Sequence, residues 1–429
     1  MGARPDGSSL VGRAATRATI VVAAVVAALA MAGGASHAQA VAPGGQPALM
    51  PMTRAAAIDA AARRGLRGAF ALQDSAAAHA DLDVARGYPN PVAALTYTRA
   101  VPYYHGVLSL PVDYPWVRGA RVHAAELGLR AASYHYAFER AQTRYDADTA
   151  YTRALVAAGH AALSHRNAVD ADSLHRLALL RRETGDASDL DVDLATINAG
   201  QAANASAADS ITAISALLDL QSVLGLPPDR PAVALTDSLA MPGDPGTGVP
   251  AANGAEPLPV AAAAAAVQSE ESALTFARRS VLAQPSIQAG LEGGDPEQPY
   301  LLPTVGLSLP LPLFNHDHGE IALATANRDR AKLELELARR ETAAAIARAS
   351  RELEAATIRA RRDSTLLDAA DRVAARSLVA FAEGASGLAS VIEAQRSARD
   401  ARGQYLDDLA AANTAVATVR LAGLTASSQ

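Results

Sequence analysis

The chain has no cysteine in its 429 residues, so it can hold no disulfide, no thiolate metal site and no lipidated amino-terminal Cys. Aromatic residues make up only 4% of it and the apolar half is dominated by alanine, which leaves too few bulky side chains to fill two or three ordinary globular cores. Positive charge is not in excess: 38 Lys and Arg stand against 44 Asp and Glu, a net charge of -6. That gives no footprint for nucleic acid or for anionic lipid. The apolar run from Ile20 to Met31 is too short to span a bilayer as a helix. No His-Glu-x-x-His or Gly-x-Ser-x-Gly occurs, and Gly246-Thr247-Gly248 lacks the third glycine and the strand-to-helix setting of a phosphate cradle. The sequence therefore points to no enzyme and no cofactor.

What is present begins with an export signal over residues 1–40. Arg4, Arg13 and Arg17 precede the apolar run, and small-residue cleavage sites follow, ending at Ala38 or Ala40. Beyond it, alanine studded with Glu and Arg favours long, closely packed helices. The chain then says nearly the same thing twice. Leu108-Ser109-Leu110-Pro111 returns about 199 residues later as Leu307-Ser308-Leu309-Pro310, and Gly185, Val192 and Ala195 share their spacing with Gly384, Val391 and Ala394. Two structural repeats are expected, over 41–235 and 260–424, joined by a Pro/Gly/Ala-rich linker at 236–259 and followed by a short tail at 425–429.

Each repeat starts with a helix, the first running from Thr53 to about Arg86 and stopped by Tyr88-Pro89-Asn90-Pro91. A β-hairpin follows at 88–112, with Ala93, Leu95 and Tyr97 on one face, Ala94, Thr96 and Thr98 on the other, and Leu108 and Leu110 in the return strand. The second hairpin, at 285–311, sets Ile287, Ala289, Leu291, Val305, Leu307 and Leu309 against Gln288, Gly290, Gly306 and Ser308. Strands that are apolar on one face and small or polar on the other resemble pieces of an outer-membrane barrel. Tyr88, Tyr97, Tyr103, Tyr104, Tyr114 and Trp116 crowd the first hairpin, where they would either lie at a membrane interface or pack a small soluble sheet.

No proline interrupts 119–183 or 319–383, so each stretch is expected to be one helix on the order of 100 Å long. In the second, Ile346, Ala349, Leu353, Ala356, Ala360, Leu367, Ala370 and Ala374 step by alternating threes and fours, a coiled-coil seam with Asp363 as its one polar break. Glu336 with Arg340 and Asp368 with Arg372 sit four apart and would support an exposed face by a few tenths of a kcal/mol each. Shorter helices return at 189–224 and 388–421 after glycine turns. Four membrane strands cannot close a barrel, and an open edge in hydrocarbon leaves unpaired backbone groups, so the chain must oligomerise about one axis. The fold class read from the residues is mostly α with a small membrane β-barrel part, a duplicated strand hairpin plus long coiled-coil helices.

These residues resemble the TolC-like outer-membrane efflux proteins, and most of all the outer-membrane components of heavy-metal pumps of the RND type. The likeness spans nearly the whole chain past its leader. It is carried by Tyr88-Pro89-Asn90-Pro91, by Leu309-Pro310-Leu311-Pro312-Leu313-Phe314-Asn315 with Gly319-Glu320-Ile321-Ala322, and by the glycine turns with Asp191-Val192 and Ser390-Val391. The resemblance implies a homotrimer forming an α-barrel/β-barrel tunnel in the outer membrane, in contact with its lipids and reaching into the periplasm. It also implies a periplasmic adaptor (membrane fusion) protein and an inner-membrane RND-type pump as partners. The chain itself would be a passive exit duct, for heavy-metal cations or small toxic compounds. A soluble periplasmic coiled-coil adaptor is the alternative, although one helical hairpin between lipoyl-like and barrel strands would not account for two strand-hairpin-plus-rod copies.

In such proteins the helix tips narrow to an aperture and dock the adaptor. The corresponding residues are Asp191, Phe381 and Glu393 at the aperture, with Arg181, Gly185, Leu190, Val192, Gly384, Leu388 and Val391 in the tip turns and adaptor contact. Three copies of Asp191 or Glu393 about an axis would attract cations. Asp191 also suits a plain helix start, where acids are favoured. Ser386 and Ser390 stand where some family members place a gating Arg and an Asp, which argues against an ionic latch in the second turn. His316, Asp317 and His318 are the densest set of metal-ligating residues. They are read either as a transient cation site or as a polar junction between strand and helix, and a metallohydrolase built on the two histidines is the third reading.

Overall fold

The structure, a computed structural model, describes residues 49–242, 256–281, 284–298, 300–314 and 316–425. The export signal, Gly246-Thr247-Gly248, most of the linker and residues 426–429 lie outside the described residues. Strand β1 (Met50–Met52) leads to helices α1 (Arg54–Arg64) and α2 (Leu66–Arg86), then to strands β2 (Val92–Tyr97) and β3 (Tyr104–Pro111). The long helix α3 (Pro115–Glu183), its return helix α4 (Asp189–Val223) and strand β4 (Val233–Leu235) complete the first repeat. The second runs through α5 (Leu258–Arg279), β5 (Ser286–Gly293), β6 (Leu302–Ser308), the long α6 (His318–Ala382) and α7 (Leu388–Ala422).

Three elements differ from the sequence expectation. The first helix is two, because Gly65 takes an extended ψ of 125°. A Cβ there would sit 2.6 Å from Ala61 O and 2.7 Å from the Thr143 methyl, so the chain bends where α3 crowds it. Helix α3 begins ahead of Gly119, since Pro115 in its first turn has no N–H to leave unsatisfied. Short β1 lies parallel to β4, Met50 opposite Val233, and a bridge from Pro257 to Thr425 brings together the matching ends of the second repeat.

Helix α3 has 69 residues and α6 has 65, about 104 and 98 Å at ~1.5 Å per residue. At the middle of α3, Ala147, Ala150, Tyr151 and Ala154 pack with Met52, Ala57, Ala61, Leu220, Leu224 and Val233. This is where α1, the end of α4 and the β1–β4 pair converge on one rod, and Arg54 fastens it through Asp148 (3.2 Å) and Asn413 (3.0 Å). In α6 every expected seam residue is buried or half-buried, with Ala349, Ala356 and Ala360 shut off from solvent; small knobs let α7 approach closely. Glu336 pairs with Arg340 at 2.9 Å. Asp368 and Arg372 form no ion pair among the described residues, and Asp371 instead pairs with Arg402 of α7.

The four longer strands form one antiparallel sheet in the order β2-β3-β5-β6. Its register sorts most side chains by polarity, with Val92, Val107 and Leu302 as apolar residues on the otherwise small or polar face. Ala93, Leu95, Tyr97, Leu108, Leu110, Ile287, Ala289, Leu291, Val305 and Leu307 share one face, and Thr96, His105, Ser109, Gln288, Gly290, Glu292, Thr304 and Ser308 share the other. Among the described residues nothing covers the apolar face: Leu95 is 89% exposed and Val305 85%. The tyrosines and tryptophan divide between its two ends. Tyr97 packs on Tyr104 (5.5 Å between ring centroids) beside the turns, and Tyr114 stacks on Trp116 (4.6 Å) where α3 begins. Between sheet and helices, the Asp113 carboxylate, 1% exposed, is held by Arg121 at 2.8 Å and by the Gln284 amide. No helix among the described residues is long and apolar enough to cross a membrane.

Candidate functional site at the helix tips

Both long helices end in the same backbone device. Asp186 N–H donates to Arg181 O (2.7 Å) and Gly185 N–H to Arg182 O (3.0 Å), while in the second tip Ala385 N–H donates to Ala380 O (2.7 Å) and Gly384 N–H to Phe381 O (3.0 Å). These are Schellman motifs, whose residue after the helix cap takes a left-handed conformation. Gly185 (φ 83°) and Gly384 (φ 75°) supply it, which is why these two positions are glycine.

The turns diverge where α4 and α7 begin. Ser188 caps α4: its Oγ accepts from Asp191 N–H at 3.2 Å, and the Asp191 carboxylate accepts from Ser188 N–H at 3.0 Å and Ser188 O–H at 2.7 Å. These hydrogen bonds hold the Asp191 carboxyl below its usual range, since a carboxylate that accepts two donors resists protonation. In the second tip Gly387 is the cap without a side-chain bond, and Ser390 turns back to Gly387 O at 2.6 Å. Asp191 is half-buried and Glu393 exposed, and no hydrogen bond or ion pair joins them among the described residues.

Phe381 is corrected. Expected as an apolar constriction, it is 5% exposed and packs with Leu174, Ala178, Ala195, Leu388 and Val391. A phenyl ring in that cluster removes its area from water more completely than one facing a pore. Leu388 and Val391 are corrected for the same reason: both lie in this cluster and offer a docking protein no surface. Val192 packs against its edge, whereas Leu190 is 66% exposed. Sequence reasoning missed what covers the ring. The Arg181 guanidinium stands 4.4 Å from the Phe381 centroid and donates to Ala382 O at 2.8 Å, so the two tips of one chain are fastened to each other. The only signal was an Arg and a Phe in equivalent turns of a repeat, which does not reveal a contact.

His316, Asp317 and His318 lie at the junction of the segment after β6 with the start of α6. Asp317 takes a left-handed backbone (φ 53°) as the cap of α6, and the two imidazoles stack with centroids 5.8 Å apart. Among the described residues no group of three His, Cys, Asp or Glu is arranged to hold a metal ion.

No family model matches the chain, and no curated protein does. Solved structures match it over most of its length. The Campylobacter jejuni outer membrane channel CmeC is 14% identical with a TM-score of 0.75, covering 88% of this chain and 87% of that one. The Vibrio cholerae outer membrane protein VceC is 15% identical with a TM-score of 0.68 (86% and 96%). CusC, whose structures follow folding and transmembrane channel formation, is 13% identical with a TM-score of 0.70 (86% and 91%). The fold of this chain is the one these outer-membrane proteins share, the α-barrel/β-barrel type expected from the resemblance.

Proposed function

We propose that the chain is the outer-membrane exit duct of a tripartite efflux pump, a passive channel and not an enzyme. The observation that carries this reading is the sheet. Among the described residues one face is apolar along its length and uncovered, the other carries all the polar side chains with only Val92, Val107 and Leu302 as large apolar ones, and the outer edges of β2 and β6 have no partner strand. In hydrocarbon each unpaired backbone group costs several kcal/mol, and copies placed edge to edge about an axis remove both edges at once. Three copies give about twelve strands, within the bacterial range, with helices on the order of 100 Å extending into the periplasm. A soluble adaptor would not leave Leu95 and Val305 uncovered.

The homotrimer meets outer-membrane lipids at the apolar face and a periplasmic adaptor at the tips, where Leu190 is exposed beside the turns of Arg181, Gly185, Val192 and Gly384. An inner-membrane RND-type pump supplies the energy. Asp191 and Glu393 face the aperture, so the duct favours cations, in keeping with heavy-metal cations or small toxic compounds as cargo. Purified protein reconstituted in planar bilayers tests this. Heat-modifiable trimers giving discrete conductance steps are expected, and a monomer that stays soluble without detergent and makes no channel would overturn the reading.

A further inference from the structure

Within the four sheet strands, His105 and Glu292 are the only imidazole and the only formally charged side chain. They stand directly opposite each other in the β3–β5 register. His105 Nδ1 lies 3.3 Å from Glu292 Oε1, and Thr98 Oγ1 lies 3.2 Å from His105 Nε2. An ionisable side chain against lipid is expensive, and one kept within a membrane segment marks a pathway by default. Both are on the polar face, with Thr96 and Gln288, away from the apolar one.

Their height matters as much as their face. The next rung, Tyr104 opposite Gly293, is the last before the turns, so the pair sits at the end of the sheet remote from α3 and α6. The turns beyond it carry Arg99 on one side and Asp295 and Glu297 on the other. Acids therefore outnumber bases at this mouth.

We infer that Glu292, held against the wall by His105, is a specificity-determining carboxylate at the outer mouth, where three copies form a ring that admits small cations in preference to anions. This rests on the duct reading, in which the polar face lines the lumen, where substitutions tune selectivity. The ring is separate from the tip carboxylates, because a helix on the order of 100 Å lies between them and screening confines each field to about 10 Å at ~0.1 M salt. The same screening makes the preference salt-dependent: at ~0.01 M the field reaches about 30 Å, and at ~1 M it shrinks to about 3 Å.

The test is the reversal potential of single channels in planar bilayers under a potassium chloride gradient, near ~0.01 M and near ~1 M salt. Glu292→Gln is expected to lower the potassium-to-chloride permeability ratio at low salt by about two-fold or more and to change it little at high salt. Glu292→Lys should lower it further. Thr304→Lys leaves Glu292 in place but sets a cation on the same face, and should also lower the ratio; it serves if Glu292→Gln does not assemble. An unchanged low-salt ratio in any of these assembled variants overturns the inference. Wild-type protein that makes no channels defeats the duct reading instead.

Discussion

The Arg181 guanidinium lies 4.4 Å from the centroid of the Phe381 ring and donates to the carbonyl of the next residue, Ala382, at 2.8 Å. One contact thus joins the end of α3 to the end of α6, and the ring beneath it fills the cluster between the two helical hairpins. Phe381→Ala should destabilise the tips by about 3 kcal/mol through the cavity left behind. Arg181→Ala removes only the cation–π contact and one hydrogen bond, about 1 kcal/mol. Limited proteolysis of the detergent-purified protein is expected to cut the tip turns of both variants sooner than wild type, Phe381→Ala first. Equal rates in all three would mean the fastening has no mechanical effect.

Asp191 combines a cap and a charge, and the two can be separated. Ser188→Ala and Asp191→Ala each break the capping box and should cost the start of α4 about 1 kcal/mol. On the proposed duct reading only Asp191→Ala removes a charge from the aperture, so only it should reduce cation preference in reversal-potential measurements. Because the folded pKa is depressed, the cap's electrostatic contribution is present above the ordinary Asp value of 3.8 and is lost as pH falls through the lower folded value. Selectivity that changes equally in both variants would assign the effect to the cap.

The tips and the sheet were legible in the sequence because each is set by local rules. The glycines at 185 and 384 announce a left-handed backbone, and a period of two assigns Leu95, Leu291 and Val305 to one face. What was hidden depends on residues far apart in the chain. Phe381 is buried by Leu174, Ala178 and Arg181 from the other repeat, and nothing in its own turn distinguishes a ring facing a lumen from one facing a neighbouring hairpin. The lack of room for a side chain at Gly65 comes partly from the Thr143 methyl of another helix. Strands β1 and β4, three residues each, are too short to show a period.

Asp363, the polar break in the α6 seam, meets Asp408 of α7, whose side chain is 4% exposed and paired with Arg359 at 2.8 Å. Burial, and then the neighbouring Asp408 carboxyl, push the Asp363 carboxyl above its usual range, against the pull of Arg362 and Arg359. The sign follows: a raised folded pKa favours the protonated hairpin, so this contribution is full below the ordinary value of 3.8 and disappears as pH rises through the raised one. Asp363→Asn keeps a donor and cannot ionise. Thermal unfolding followed from about pH 4 to about pH 8 should show a smaller loss of stability with rising pH in the variant than in wild type. Parallel curves would show that the pair does not share a proton.

The face assignment of the sheet makes the sharpest demand, because residues one apart in a strand must behave in opposite ways. Val305 points to the apolar face and Thr304 to the polar one, across from Gly290, whose missing side chain leaves room for the Thr304 hydroxyl. An Arg on the lipid face near mid-membrane costs about 2–4 kcal/mol, whereas a lumen position sees water. Val305→Arg, repeated in each copy of a trimer, should therefore abolish or strongly reduce the heat-modifiable trimer, as should Leu95→Arg. Thr304→Arg should assemble at near wild-type yield and alter only conductance and selectivity. Electrophoresis of unheated, outer-membrane-extracted protein distinguishes these outcomes. If Thr304→Arg were lost and Val305→Arg retained, the sheet would be turned inside out, and Glu292 would face lipid where no ring could form.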